Sequence, residues 1–226
     1  MLNPEFWNER WRNNQIGFHR ADVNPWLMKY WDSVPVEKGS PVFLPLAGKT
    51  LDIPWLVEKG FSVKAIECSR IAVEEFFISQ HWSAEKISVA TLQCWQHEAV
   101  DFYCGDYFDM SPDMLAGVKV VYDRASLIAF PFEQRKRYVE KLMQLLPSRP
   151  PILLVTVEYP QHEMNGPPFA VPESEVQELY GRYYDIKKLD EGDLLDIEPR
   201  WRQKGLSSMD EKVFLLTRQS LTGKGA

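Results

Sequence analysis

Gly48, Glu67, Asp106 and Arg124 each stand at or just past the end of an apolar run, and their types suit the binding of a polar small molecule. The run Val42, Phe43, Leu44, Leu46 enters a turn at Gly48, Leu51, Ile53 and Leu56 follow at amphipathic spacing, and the run Val63 to Ile66 ends on Glu67. That is strand, turn, helix, strand and terminal carboxylate, the plan of a nucleoside-binding βαβ unit. A glycine lets backbone approach a ligand closely, and Glu67, nineteen residues later, can accept hydrogen bonds from two ribose hydroxyls. The same two residues also fit a plain turn followed by a solvated strand-end acid, and these positions alone do not separate the two readings.

Phosphate chemistry fits poorly. Gly48–Lys49–Thr50 resembles the end of a phosphate-cradling loop, but Phe43 stands where such a loop needs glycine. The dinucleotide pattern of three glycines also fails, because Leu46 and Ala47 leave one. A ligand with ribose and no phosphate remains, and S-adenosylmethionine answers that description. On this reading Gly105–Asp106, after Phe102–Cys104, borders the adenine, while Asp123–Arg124, after Val120–Tyr122, sits beside the reacting sulfur.

These groups need a frame. Strand-like runs fall at 42–46, 62–67, 101–104, 119–123, 152–158, 183–189 and 212–217, and helical patterns at 50–59, 69–80, 134–146 and 173–182. The alternation predicts an α/β fold: a seven-stranded, mostly parallel, Rossmann-like sheet with helices on both faces. The last two runs are joined by a polar loop and are expected to close the sheet as an antiparallel pair. Residues 1–40 form an N-terminal aromatic lid, 41–219 the sheet domain, and 220–226 a tail expected to be disordered. Within the lid, Asn3 and Pro4 can start a helix that carries Trp7 and Trp11 one turn apart.

The chain has 226 residues, enough for one large domain, and a net charge of −6. No lysine or arginine stripe marks a nucleic-acid or anionic-membrane surface. Cys68, Cys94 and Cys104 lack metal-ligand or CxxC spacing and are expected to be reduced, mostly buried thiols of a cytoplasmic protein. The N-terminal MLNPEFWNERW has no apolar core of a signal peptide, and Ile152–Val155 is too short to span a bilayer.

Most of Trp7, Trp11, Phe18, His19, Trp26 and Trp31 suit core padding. Trp11 and Phe18 lie in the polar stretch NERWRNNQIGFHR and are the candidates for an aromatic cover that attracts a sulfonium and excludes water. The four histidines share no metal-binding spacing, no GxSxG elbow is present, and Asp22, Asp52 and Asp106 form no acid–base pair pattern. No metal and no covalent nucleophile is expected. A thiol acceptor of low pKa arrives ionised and needs no base.

With these residues placed, the chain resembles the bacterial branch of the thiopurine S-methyltransferase family. The matching stretches are FWNERW at 6–11, GFH at 17–19, FLPLAGKTLD at 43–52, IECS at 66–69, FYCGDYF at 102–108, VYDRASLIAFP at 121–131, GPPFAV at 166–171, EVQELY at 175–180 and KVFLLT at 212–217. The resemblance implies that Trp11, Leu46, Glu67 and Arg124 contact S-adenosylmethionine, that Phe18 borders cofactor and acceptor, and that Arg124 and Arg200 stabilise an aromatic thiolate. Asp106 joins the cofactor set from its strand-end position. Ala47 and Thr50 depart from the cysteine and serine common in bacterial members, leaving Gly48–Lys49 intact. The implied activity is methyl transfer to sulfur of aromatic or heterocyclic thiols by a monomer, with selenium and tellurium species as further acceptors. The alternatives are a soft nucleophile such as halide or thiocyanate on the same scaffold, or a protein that binds the cofactor without turnover.

Overall fold

Pro41–Leu44, three of whose four side chains are buried, forms the central strand β1 of the computed structural model, which describes residues 3–219. Before it come helices α1 (Pro4–Arg12) and α2 (Pro25–Tyr30), and after it α3 (Asp52–Glu58). Both leading helices begin as their sequences dictate: Asn3 and Asn24 accept hydrogen bonds from first-turn N–H groups, and proline occupies the first helical position. The chain continues through β2 (Ser62–Glu67), α4 (Arg70–Gln80), β3 (Glu85–Val89), β4 (Leu92–His97), β5 (Val100–Cys104) and β6 (Val120–Arg124). It ends with α5 (Phe132–Leu145), β7 (Ile152–Glu158), α6 (Glu173–Tyr180), β8 (Tyr184–Asp193), the short α7 (Leu194–Ile197) and α8 (Arg200–Gln203), and β9 (Asp210–Arg218).

The described residues form one nine-stranded sheet in the order β3-β4-β5-β2-β1-β6-β7-β9-β8. This corrects the expected seven-stranded, mostly parallel sheet. The centre, β5-β2-β1-β6-β7, is parallel, but both flanks are antiparallel, so the sheet is mixed. All seven expected strands form, and β8 and β9 pair antiparallel as anticipated. The additional pair, β3 and β4, is a hairpin on the edge beside β5.

Apolar residues cover both faces. On one, Ile53 and Leu56 of α3 and Val73, Phe76 and Phe77 of α4 pack against Val42, Val63 and Phe102. Leu27, Trp31 and Val34 of the N-terminal segment join this layer, and Trp31 meets Phe61 edge to face. On the other, Tyr138, Val139 and Leu142 of α5 and Val176 and Tyr180 of α6 pack against Phe43, Val121 and Leu154. Each fully buried side chain of this size contributes roughly 1.5–3 kcal/mol, which fixes the sheet that carries the site. Chain order reverses about β1, whose neighbours are β2 on one side and β6 on the other. The carboxyl ends of those strands open a crevice, the position where sheets of this kind bind ligands.

The expected tail, 220–226, lies outside the described residues. The cysteines are free, with Cys94 buried and Cys68 and Cys104 only partly so. Among the described residues no helix is long and apolar enough to cross a membrane.

Candidate active site

A cavity of about 380 Å³ lies over the crevice, and Trp11, Phe18, Leu46, Glu67, Asp106, Arg124 and Arg200 all line it. The volume is that of a small-molecule site. Residues nominated from six separate stretches of sequence thus converge on one cavity.

The turn after β1 is tightly built. Leu46 and Gly48 take left-handed backbone angles, φ 45° and 58°, and Ala47 N–H donates to the Ile66 carbonyl at 2.9 Å. Glu67 Oε2 accepts from Gly48 N–H at 2.9 Å, and Oε1 accepts from Ser69 N–H at 2.8 Å and from the Cys68 thiol at 3.3 Å. Glu67 is only 6% exposed, and burial pushes its carboxyl above the usual range while these donors oppose the shift. A carboxylate has about four acceptor positions, so one remains, on Oε2. A side chain at Gly48 would meet the Trp11 ring at 3.4 Å, so the indole roofs the turn. Lys49 is drawn away to Glu75 of α4 at 2.8 Å and serves no phosphate loop.

At the end of β5, Gly105 (φ 147°) lies where a side chain would collide with Leu92 at 2.3 Å. Asp106 follows, and its Oδ1 caps the next turn by accepting from Phe108 N–H at 2.9 Å. Tyr107 and Phe108 continue the cavity wall there.

The end of β6 separates the two residues expected to act together. Alternation along the strand turns Asp123 into the core, where it is fully buried and accepts from Tyr138 O–H at 2.7 Å and Leu127 N–H at 3.2 Å. Burial pushes its carboxyl up to about 6. Asp123 is a structural group, and the expectation that it sits beside the reacting sulfur is corrected. Arg124 does face the cavity, and among the described residues no carboxylate lies within 4.0 Å of its guanidinium. The His19 imidazole, on the same wall, is held below its ordinary pKa by burial and then by the charges of Lys49 and Arg124.

The residues of the N-terminal segment take two places. Trp31 and Leu27 belong to the core, whereas Phe18 packs edge to face on Trp7 and Trp11 at 5.5 and 5.6 Å over the cavity. Arg200, at the start of α8, is already engaged: it pairs with Glu198 and donates to the Gly17 carbonyl. Glu198 also accepts from Arg20 at 3.0 Å and from the Trp201 indole at 3.0 Å. Arg200 therefore fastens the aromatic segment to the β8–β9 connection as well as lining the cavity.

Among the lining residues that escaped the sequence reading as site residues are Tyr122, Glu198, Glu211 and Asp52. Glu211 had little legible signal, since Val213 and Phe214, of opposite parity on the same strand, are both buried and parity does not single out an inward face. Asp52 was noted, but its role depends on a distant partner, the Asn24 N–H at 2.7 Å.

This sheet order, with a nucleoside-sized crevice at the carboxyl ends of β1, β2 and β5, defines the fold of the S-adenosylmethionine-dependent methyltransferases. A structure of such an enzyme from Anabaena variabilis matches with a TM-score of 0.64 at 11% identity, covering 97% of this chain and 96% of that one. Another, from Geobacter sulfurreducens in complex with S-adenosyl-L-homocysteine, matches at 0.62 and 14% identity over 93% and 98% of the two chains. The thiopurine S-methyltransferase family model matches residues 2–219. Curated thiopurine S-methyltransferases from Nitrosospira multiformis and Methylococcus capsulatus are 45% and 43% identical, covering 95% and 97% of this chain and 98% and 99% of theirs. The chain belongs to the thiopurine S-methyltransferase family.

Proposed function

We propose that this chain transfers the methyl group of S-adenosylmethionine to the sulfur of aromatic or heterocyclic thiols. The carrying observation is one cavity lined both by the buried Glu67 carboxylate and by the Arg124 guanidinium, which among the described residues meets no carboxylate within 4.0 Å. The residues fit the cofactor. Glu67 Oε2 offers one acceptor position to the ribose, one fewer than expected, and the Trp11 roof over Gly48 suits a ligand without phosphate. Leu46 and Asp106 border the nucleoside, and the faces of Trp11 and Phe18 suit a soft cation.

S-adenosylmethionine supplies the electrophilic methyl and departs as S-adenosylhomocysteine. The protein's own part is alignment and exclusion of water. Phe18 and Trp11 cover the reacting centre, and Arg124 favours the anionic form of an acceptor placed against it. Arg200 contributes charge from the rim while holding Gly17. No side chain forms a covalent intermediate. We read the enzyme further as a cytoplasmic monomer that takes small molecules, with selenium and tellurium species as candidate acceptors in metalloid detoxification.

The test is turnover with a panel of thiophenols, heterocyclic thiols, thiocyanate, iodide, selenite and tellurite, following S-adenosylhomocysteine by mass spectrometry. Methylation of the thiols is expected. Binding of S-adenosylhomocysteine without turnover of any thiol would refute the proposal.

A further inference from the structure

Glu211 is the second residue of β9, which lies two strands beyond β6 and four beyond β2. At about 4.8 Å per strand, its backbone is roughly 10 Å from that of Arg124 and roughly 19 Å from that of Glu67. If Glu67 receives the ribose, as proposed above, Glu211 stands at the far end of the cavity, where the acceptor enters. The inference rests on that reading.

Glu211 is 7% exposed, and it lines the cavity. Its Oε2 accepts from the Trp26 indole N–H at 2.6 Å, while Oε1 has no hydrogen-bond partner among the described residues. Trp26 is itself held: its ring stacks on Tyr30, whose hydroxyl binds Asp190, and Gly192 lies beneath it, where a side chain would approach to 3.0 Å. The charged groups facing Glu211 are Arg124 from β6, Arg20 from the N-terminal segment and Glu198 from the β8–β9 connection. Arg20 is committed to Glu198. Arg124 comes no closer than 4.0 Å to any carboxylate among the described residues. A buried carboxylate with an open oxygen and a half-buried cation that line one cavity and do not meet leave space between them for a group with a donor on one side and a negative atom on the other.

A heterocyclic thiol with nitrogen next to its thiol-bearing carbon is such a group. In its neutral form the proton sits on nitrogen and sulfur is a thiocarbonyl, a weak nucleophile. We propose that Glu211 Oε1 accepts the ring N–H of a heterocyclic thione whose sulfur lies toward Arg124, and takes that proton as the sulfur is methylated. The N–H bond breaks and its proton passes to Glu211. The electron pair moves through the ring to sulfur, the sulfur–methyl bond forms, and the methyl's bond to the sulfonium breaks with its pair retained by S-adenosylhomocysteine. The proton then returns to solvent. Trp26 is the positioning residue that turns Oε1 toward the acceptor.

The experiment compares Glu211→Gln with wild type on two acceptors, thiophenol, which carries only an S–H, and 2-thiopyridone, which carries the N–H. The expected loss of kcat is on the order of 10²-fold greater for thiopyridone, and this excess shrinks as pH rises through the thione's own pKa, where the acceptor arrives as an anion. Equal losses, or an excess unchanged across that titration, overturn the assignment. Calorimetric affinity for S-adenosylhomocysteine checks the fold of the variant. Should Glu211→Gln not fold, Trp26→Phe decides: it keeps the carboxylate and removes the orienting bond, so a smaller excess of the same sign supports the role, and none refutes it. Absence of wild-type turnover with thiophenol would remove the thiol-methylation reading and this inference together, whereas turnover without the excess removes Glu211 alone.

Discussion

Gly48 donates its backbone N–H to Glu67 Oε2 at 2.9 Å, tying the turn after β1 to the last residue of β2. The two residues that suggested a nucleoside site from their spacing are thus in direct contact, and the carboxylate shapes the turn as well as facing the cavity. Ser69 N–H on the other oxygen extends the clip into the start of α4.

Glu67→Ala removes both the ligand contact and the clip, so its effect on cofactor binding exceeds that of a lone lost contact. A charge-assisted hydrogen bond contributes roughly 1.5–3 kcal/mol, and the expected loss of S-adenosylhomocysteine affinity is at least that. Glu67→Gln preserves size, but in either orientation its amide N–H₂ faces a backbone donor, Gly48 N–H or Ser69 N–H, and the ribose loses its charged acceptor, so a loss of the same order as that of Glu67→Ala is expected. Calorimetric titration of both variants reports it. Unchanged affinity in a folded Glu67→Ala would remove the ribose assignment.

How far the sequence was legible follows the physics of each part. The central strands are runs buried on both faces, as β7 is from Ile152 to Val157, and such runs stand out. The hairpin β3–β4 does not. Glu85 and Lys86 are exposed on an edge, and the turn has Ala90 at φ 52° where a hairpin signal would show Asn or Gly. In the site, Glu67 and Arg124 were visible because each ends an apolar run. Asp123 also ends one, but whether it or Arg124 faces the cavity depends on strand parity against α5, which supplies Tyr138. Glu198 lies in a polar connection, and its role depends on Arg20, which is 178 residues away in the chain.

Asp123 makes stability depend on pH in the sense opposite to ordinary acid denaturation. Its folded pKa, about 6, lies above the unstructured value of 3.8, so the folded state binds the proton more tightly. Its contribution therefore favours the fold at low pH, is lost as pH rises from 3.8 toward about 6, and is a full cost above that. Holding the buried carboxylate ionised at neutral pH then costs on the order of 3 kcal/mol. Asp123→Asn cannot titrate, so its stability relative to wild type should rise by that order between pH 4 and 6.5. Urea unfolding at four pH values measures the difference, and a flat difference would show that Tyr138 and Leu127 hold the carboxylate ionised without penalty.

Arg20 and Arg200 both converge on Glu198, and Arg200 also holds Gly17, so this acid fastens the part of the aromatic segment that carries Phe18. Partly exposed pairs contribute roughly 0.2–1 kcal/mol each, enough to shift an opening equilibrium several-fold. Glu198→Gln should speed hydrogen exchange at 16–20 and around Trp11, and S-adenosylhomocysteine should restore protection. Protection gained only at the ends of β1, β2 and β5 would mean that the aromatics are packing and not a lid.

Arg124 carries the last prediction. It follows Val120–Tyr122 at a strand end and is half-buried, and no carboxylate among the described residues lies within 4.0 Å to neutralise it. A guanidinium so placed favours an anion beside it, and each unit by which it lowers an acceptor thiol's pKa raises the thiolate fraction about tenfold while the free thiol is protonated. The deficit of Arg124→Ala should therefore be greatest well below the pKa of the thiol and fade as pH passes it. A pH–rate profile with one aromatic thiol, run beside wild type, separates the possibilities. A deficit constant across the titration would mean that Arg124 orients the ligands without ionising the acceptor, and Arg124→Lys would then restore little, because a point charge cannot reproduce the planar fork. A deficit that fades, with partial rescue by Arg124→Lys, marks the charge itself as what matters.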